Sequence, residues 1–315
     1  MGKDFARHEK WRICNSMIKF LKMHGLGNDF VILDARDPDS GIGADISVRA
    51  ARLVADRRFG IGCDQLLVIR PSDKADIFMQ ILNNDGSIAG ACGNGTRCVA
   101  DYVMRNEGVD QLTIETESAI LQTYRSQIGD ADLIAVNMGG VRLEWHQVPL
   151  AAEQDTLHVD LGADAPALAV CHSMGNPHAV MFVDDVAAIN LDVTGPKLEH
   201  ANIFPDRANI SIVQKLDDAK FRMRVWERGV GITLACGSGA CAVGVAAHRR
   251  DLAGRSSEIV MDGGSVFIEW RDNDTKDGGT KEGEVIMTGP VAYVGQGILD
   301  DSVSELFGEH HAKAK

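Results

Sequence analysis

Apolar and polar positions alternate along this chain in short runs. Phe30–Asp34, Gln65–Ile69, Phe78–Leu82, Leu112–Glu115, Ala179–Val183, Ile210–Val213, Arg222–Trp226 and Val266–Trp270 are of strand length, and Gly, Asn or Asp turns separate them. Helical patterning is scarcer and is confined to Ala44–Asp56, Gly95–Arg105 and Gly239–His248. The third segment is apolar on every face from Ala240 to Ala247, which predicts an enclosed helix. Strands outnumber crossover helices. The pattern therefore predicts two mainly antiparallel sheets, each wrapped around a central helix, rather than a parallel doubly wound sheet.

The pattern also repeats. Ala91-Cys92-Gly93-Asn94-Gly95 returns as Ala235-Cys236-Gly237-Ser238-Gly239, 144 positions later. Gln65 and Asn209 are the same distance apart, as are Asn83 and Glu227. Gly27-Asn28 matches Gly175-Asn176, and Val136-Asn137-Met138-Gly139 resembles Ile286-Met287-Thr288-Gly289. Five markers in the same order imply an internal duplication. A duplicated fold turns equivalent loops toward each other across a cleft, where small molecules commonly bind. Residues 1–16 precede the repeat, and the polar, Gly-rich stretch 272–283 reads as a hairpin tip or loop.

Composition narrows the function classes. The 315 residues carry 32 basic and 45 acidic side chains, a net charge of −13, which disfavours nucleic-acid and anionic-membrane partners. No apolar run reaches the length of a membrane span, and the N-terminus is too polar for a signal peptide, so a cytoplasmic location is expected. The seven cysteines are odd in number, lack Cys-x-x-Cys and do not fit zinc-ligand spacings. Cys98 and Cys241 fall inside predicted helices as core, Cys63 and Cys171 read as structural, and nothing supports a role for Cys14.

Cys92 and Cys236 stand apart because each precedes Gly-x-Gly at a helix start. Free N–H groups there bind anions, glycine admits close backbone approach, and the helix's positive end favours a thiolate. The expectation is a pair of low-pKa sulfurs facing one bound molecule from opposite sides. That arrangement suits inversion of a carbon bearing hydrogen next to a carboxylate: one thiolate removes the proton, and a thiol on the other face returns one. Glu227-Arg228 is either an exposed strand-end pair or a clamp for an amino-acid head, and His178 either tunes a thiol or is a solvated turn residue. No dinucleotide or phosphate-loop glycine signature is present. A thiol redox protein and a non-catalytic amino-acid binder are the readings from other classes.

Met23-His24-Gly25-Leu26-Gly27-Asn28-Asp29-Phe30, Gly62-Cys63-Asp64-Gln65, Asn83-Asn84-Asp85-Gly86-Ser87, Ala91 to Cys98, Gly175-Asn176-Pro177-His178 and Trp226 to Gly229 with Ala235 to Gly239 together resemble the diaminopimelate epimerase family from about Met17 to Leu299. The resemblance implies a cofactor-independent, metal-free epimerase that interconverts LL- and meso-2,6-diaminopimelate in lysine and cell-wall precursor synthesis. It implies two pseudo-symmetric α/β (α+β) domains, 17–140 with 290–308 and 141–289, each a mostly antiparallel barrel-like sheet around a central helix, and a homodimer. Cys236 and Cys92 become base and acid for LL to meso. Substrate binding falls on Asn28, Gln65, Asn83, Gly93, Asn94, Asn176, Asn209, Glu227, Arg228, Gly237 and Ser238, with His178 and Glu227 adjusting the sulfurs. The extension 1–16 and the insertion 272–283 depart from the family pattern, and Gly295-Gln296-Gly297 stands where some members carry a dimer-contact aromatic. A proline or hydroxyproline epimerase-like racemase is the nearest rival.

Overall fold

The computed structural model describes residues 17–271, 273–274, 280–281 and 283–308. The N-terminal extension lies outside the described residues, as does much of the 272–283 stretch.

The first half runs β1 (Lys19–Gly25), β2 (Asn28–Asp34), α1 (Val48–Ala55), β3 (Gln65–Arg70), β4 (Ile77–Asn83), β5 (Ile88–Ala89), α2 (Gly93–Glu107), β6 (Gln111–Glu115), β7 (Ile120–Ile128) and β8 (Ala131–Gly140). The second runs β9 (Ala169–Ser173), β10 (Pro177–Phe182), α3 (Leu191–Glu199), β11 (Asn209–Asp217), β12 (Lys220–Glu227), β13 (Gly231–Ile232), α4 (Gly237–Arg249), β14 (Ser256–Met261), β15 (Gly264–Trp270), β16 (Asn273–Asp274), β17 (Thr280–Lys281) and β18 (Glu284–Gly289). The chain closes with β19 (Ala292–Ile298) and α5 (Asp301–Gly308). β16 and β17 pair antiparallel, Asn273 with Lys281 and Asp274 with Thr280, which agrees with the first of the two alternatives, hairpin tip or loop, for this stretch.

The halves have the same ladder. In the first, β1-β2-β3-β4-β6-β7-β8 are neighbours, with β2/β3 and β4/β6 parallel and the rest antiparallel. In the second, β9-β10-β11-β12-β14-β15-β18 repeat that order, with β10/β11 and β12/β14 parallel. β8 and β18 join the halves antiparallel, Val136 opposite Met287 and Asn137 opposite Ile286. Those residues belong to the matched repeat segments, so the pseudo-two-fold axis passes through this seam. β19 then crosses back to pair with β1, and on the opposite side Arg142, just past β8, bridges to Ser173 of β9.

Each half packs its strands around one central helix. α2 packs on β1, β6, β7 and β8, placing Cys98, Val99, Val103 and Met104 against Met23, Phe30, Leu67 and Ile81. α4 is sequestered with Phe221, Val225, Ile259 and Ile268 around it. Its small residues let it fit: a Cβ on Gly244 would lie 2.7 Å from Ile268 Cγ2. Each fully buried Val, Leu or Met contributes about 1.5–3 kcal/mol. The outer faces carry their own apolar layers, one beneath α1 and α5 and one around α3. Among the described residues no helix is long and apolar enough to cross a membrane.

Candidate active site

Cys92 and Cys236 are the N-cap residues of α2 and α4, with extended backbones (φ −153°, ψ 102° and φ −126°, ψ 110°). Gly-Asn-Gly and Gly-Ser-Gly follow, poor residues for a helix interior but suited to its first turn. Cys92 Sγ accepts the Gly95 N–H at 3.4 Å. Cys236 makes no such cap: its Sγ donates to Glu227 Oε2 at 3.0 Å, with Ser238 Oγ at 3.7 Å.

The two helix starts converge. A Cβ on Gly93 would lie 2.8 Å from Met287 Cε, and one on Gly237 would lie 3.2 Å from the same atom and 3.8 Å from Asn94 Oδ1. Met287, on the seam, therefore separates the two Cys-Gly motifs, and a side chain at either glycine would press on it. The unpaired N–H groups and positive ends of two helices thus meet at one place, which suits a carboxylate.

The sheets deliver the polar residues. Gln65 and Asn83 are register partners, Gln65 Nε2 donating to Asn83 Oδ1 at 2.9 Å. Asn209 and Glu227 occupy the equivalent ladder position, next to the Ile210–Trp226 pair. Asn209 accepts the Arg228 N–H at 3.0 Å and donates to the Pro177 carbonyl at 3.1 Å. The Thr233 hydroxyl holds Glu227 Oε1, leaving Oε2 for the sulfur. At the repeat's other marker, Asn28 Oδ1 lies 3.7 Å from Cys92 Sγ and accepts from Asn94 Nδ2 at 3.3 Å. Asn176 donates to Ser238 Oγ at 3.4 Å and holds His178 Nε2 through Oδ1 at 2.9 Å. The Arg228 guanidinium donates to the Asp206 carbonyl at 3.0 Å and borders a cavity of about 490 Å³ with Arg142, Ser173 and Gly175; it has no carboxylate partner among the described residues.

The electrostatics overturn the expectation of low-pKa thiols. Burial pushes Cys92 up to about 11, with Glu227 adding to the rise while the Gly95 N–H and Arg97 oppose it. Cys236, 4% exposed, is raised well above the ordinary thiol value, by burial first and then by the Glu227 carboxylate. Desolvation of a thiolate outweighs what a helix terminus returns. His178 is buried and held neutral, its pKa lowered to about 3 by burial and then by Arg228. It contacts neither sulfur directly; its link to Cys236 runs through Asn176 and Ser238. Cys63, Cys98, Cys171 and Cys241 are buried, as expected, and Cys14 lies outside the described residues.

Four residues near the sulfurs carry no role in the sequence reading, although three of them fall inside its quoted motifs: Asp64, Arg97 and Met287, with Thr233 outside them. Arg97 did leave a trace, a charge flanked by Thr96 and Cys98 in the helix that the repeat marks, where the second copy has Cys241. Glu227 governs a testable contrast. Glu227→Gln removes the charge beside Cys236, so alkylation of Cys236 at pH 8, followed by peptide mass spectrometry, is expected to accelerate about tenfold. Epimerisation by the same variant is expected to fall. An unchanged alkylation rate would separate Glu227 from the sulfur's proton affinity.

The family model described as "Diaminopimelate epimerase" matches residues 20–144 and again 170–294, one match in each half. The diaminopimelate epimerase of Rhodospirillum centenum is 50% identical over 288 residues, covering 90% of this chain and 93% of that protein. That of Acidiphilium cryptum is 49% identical over 281 residues, covering 89% and 96%. Among solved structures, a Bacillus anthracis phenazine biosynthesis protein of the PhzF family superposes with a TM-score of 0.64 at 17% identity, covering 90% of this chain and 99% of that one. A hydroxyproline epimerase from Agrobacterium vitis gives 0.63 at 14% identity, covering 90% and 91%. These two share the fold alone. With both halves matched and half of the aligned positions identical to a known member over 90% of its length, the chain belongs to the diaminopimelate epimerase family.

Proposed function

We propose that this chain interconverts LL- and meso-2,6-diaminopimelate without a cofactor, by proton removal at one cysteine and proton return from the other, as a cytoplasmic enzyme of lysine and peptidoglycan precursor synthesis. The observation that carries the reading is the convergence of two cysteine-capped helices on Met287, with polar residues from equivalent ladder positions around them.

The chemistry follows from that arrangement. The substrate's α-carboxylate sits on the N–H groups at the helix starts, where Gly93, Asn94, Gly237 and Ser238 leave room for it. Its α-ammonium is held by the polar residues facing them, Asn28, Asn176 and Glu227 among them. Gln65, Asn83, Asn209 and Arg228 hold the distal amino-acid head. In the free site both sulfurs favour the thiol. The bound ammonium brings a positive charge into a desolvated space and makes one thiolate accessible. For LL to meso, Cys236 takes the α-proton and Cys92 returns one to the opposite face. The N–H groups stabilise the charge that grows on the carboxylate as the C–H bond breaks. His178 and Glu227 set the proton affinity of the Cys236 side. A homodimer completes the proposal, and Val294 and Ile298 of β19 are among the exposed apolar side chains available to it.

The test is proton NMR of LL-diaminopimelate with enzyme in deuterated water. The α-proton signal is expected to disappear as meso isomer forms. Activity is expected to survive chelation and exhaustive dialysis with no pyridoxal phosphate added. Activity lost on that treatment and restored only by a metal or by pyridoxal phosphate would defeat the reading. α-Proton exchange that never occurs would make the chain a binder.

A further inference from the structure

Among the described residues Arg97 is the largest fully buried side chain, 0% exposed. A buried guanidinium normally pairs with a carboxylate, because leaving water costs several kcal/mol. Arg97 forms no ion pair among the described residues: Asp101, four residues on along α2, gives its carboxylate to Arg105 at 2.7 Å and Arg125 at 3.4 Å. The Arg97 guanidinium is instead fitted between glycines. A Cβ on Gly25 would lie 3.2 Å from Nη2, and one on Gly289 would lie 3.2 Å from Nε. Its Nη1 faces Met287 Sδ at 3.4 Å, and its Nη2 donates to Asn94 Oδ1 at 3.0 Å.

From Asn94 the hydrogen bonds run in one direction. Asn94 Nδ2 donates to Asn28 Oδ1, and Asn28 Nδ2 donates to Asp64 Oδ2 at 2.9 Å. Asp64 is itself fixed: Arg57 Nη2 donates to its Oδ1 at 2.8 Å, and the Asp29 N–H donates to its Oδ2 at 3.1 Å. A guanidinium can only donate and an ionised carboxylate can only accept. With those two groups at the ends, each amide between them has one orientation, and Asn28 must turn its oxygen to Cys92.

We propose that Arg97 and Asp64 are positioning residues: they terminate a one-way hydrogen-bond chain through Asn94 and Asn28 that holds the Asn28 carbonyl oxygen against Cys92 and keeps that sulfur supplied with its proton. The proposal rests on the two-cysteine reading above, since the orientation matters only if Cys92 carries a proton in the reaction. The charged groups acting on Cys92 come from several elements: Glu227 at the end of β12, Arg97 within α2, and Asp64, just before β3, through Asn28. Glu227 and the Asn28 oxygen favour the thiol, and Arg97 opposes them.

The discriminating variant is the double substitution Asp64→Asn/Arg97→Gln, whose two ends can each donate as well as accept, so the amides of Asn94 and Asn28 can reverse together and turn the Asn28 NH2 toward the sulfur. An N–H aimed at sulfur favours the thiolate. The midpoint of site-resolved iodoacetamide labelling of Cys92, measured in a Cys236→Ala background, is therefore expected to move down by about one pH unit. In the otherwise wild-type enzyme kcat is expected to fall about 10- to 100-fold with the melting temperature near wild type. Asp64→Glu, which can still only accept, should keep the wild-type labelling midpoint. Asp64→Asn alone leaves Arg97 pinning Asn94, and should move the midpoint much less in a protein whose circular dichroism matches wild type. A labelling midpoint unmoved in the double variant overturns the proposal, including the case where activity falls without it. If wild-type enzyme fails to epimerise diaminopimelate, the functional reading fails separately, and the labelling midpoints still decide the chain of hydrogen bonds.

Discussion

Cys92→Ala and Cys236→Ala should each reduce interconversion of the two isomers by at least about a thousandfold, within the range that a positioned acid or base supplies. Each cysteine stands at the N-cap position of a different helix and belongs to a different half of the chain. Neither can reach the face the other serves, so the loss of one is not shared out. The serine variants sharpen the test, since a hydroxyl can still donate a proton but is a far weaker base than a thiol. Net interconversion must fall by the same factor in both directions, because the ratio of the two kcat/KM values is the equilibrium constant, so solvent exchange separates the roles. Cys92→Ser keeps the Cys236 base and should exchange the α-proton of the LL isomer for deuterium faster than it inverts it, whereas Cys236→Ser should do so with the meso isomer. Proton NMR in deuterated water with chiral chromatography gives both rates. An alanine variant that works near the wild-type rate would remove that cysteine from the mechanism, and exchange of the opposite isomer by each serine variant would reverse the assignment of acid and base.

Arg228→Ala is expected to raise KM far more than it lowers kcat. The guanidinium ends a strand beside Asn209 and borders an open cavity without a carboxylate partner among the described residues. A substrate carboxylate seated there would lose its charged partner, at a cost of about 2–5 kcal/mol. That corresponds to a KM increase of about 30-fold to several thousandfold. Because the distal head is remote from the reacting carbon, Arg228→Lys should recover part of the affinity but not the planar two-point contact. An unchanged KM would place the carboxylate clamp elsewhere.

The cysteine motifs were legible because duplication printed them twice, and the ladder explains why the polar markers kept their spacing. Gln65 and Asn209 begin equivalent strands, and Asn83 and Glu227 end the neighbouring ones. The alternating runs fall on strands, Val183 lying one residue past β10, while β1, β5, β7, β9, β13, β14 and β19 were not singled out as strands, and β8 and β18 only as repeated segments. β9 is buried along its whole length and so shows no alternation. Helix α3 was hidden by its own breakers: Gly195 and Pro196 sit inside it, and Gly195 is required because a Cβ there would lie 2.6 Å from the Trp226 ring. The proton affinity of the sulfurs was misread for a different reason. A helix start is a local feature that sequence reveals, whereas the desolvation that overrides it depends on what the other half of the molecule places against the sulfur. Arg97 and Asp64 escaped notice on similar grounds, since their meaning lies in hydrogen bonds that pass between α2, β2 and the segment before β3.

The seam has an ancestral implication. β18 lies against β8, yet its immediate continuation, β19, lies against β1, and the segment after β8 touches β9 in return. Each half thus ends by lending backbone to the other. A half-length chain with this connectivity would form a closed two-fold dimer by exchanging its terminal segment, with one cysteine-capped helix from each copy at the shared axis. Such a dimer would hold two identical sulfurs in identical surroundings. Fusion into one polypeptide released that constraint, so that one copy could acquire Arg97 where the other has Cys241, and one Glu227 where the other has Asn83. The covalent join is thus what permits a symmetric scaffold to treat the two faces of a carbon differently.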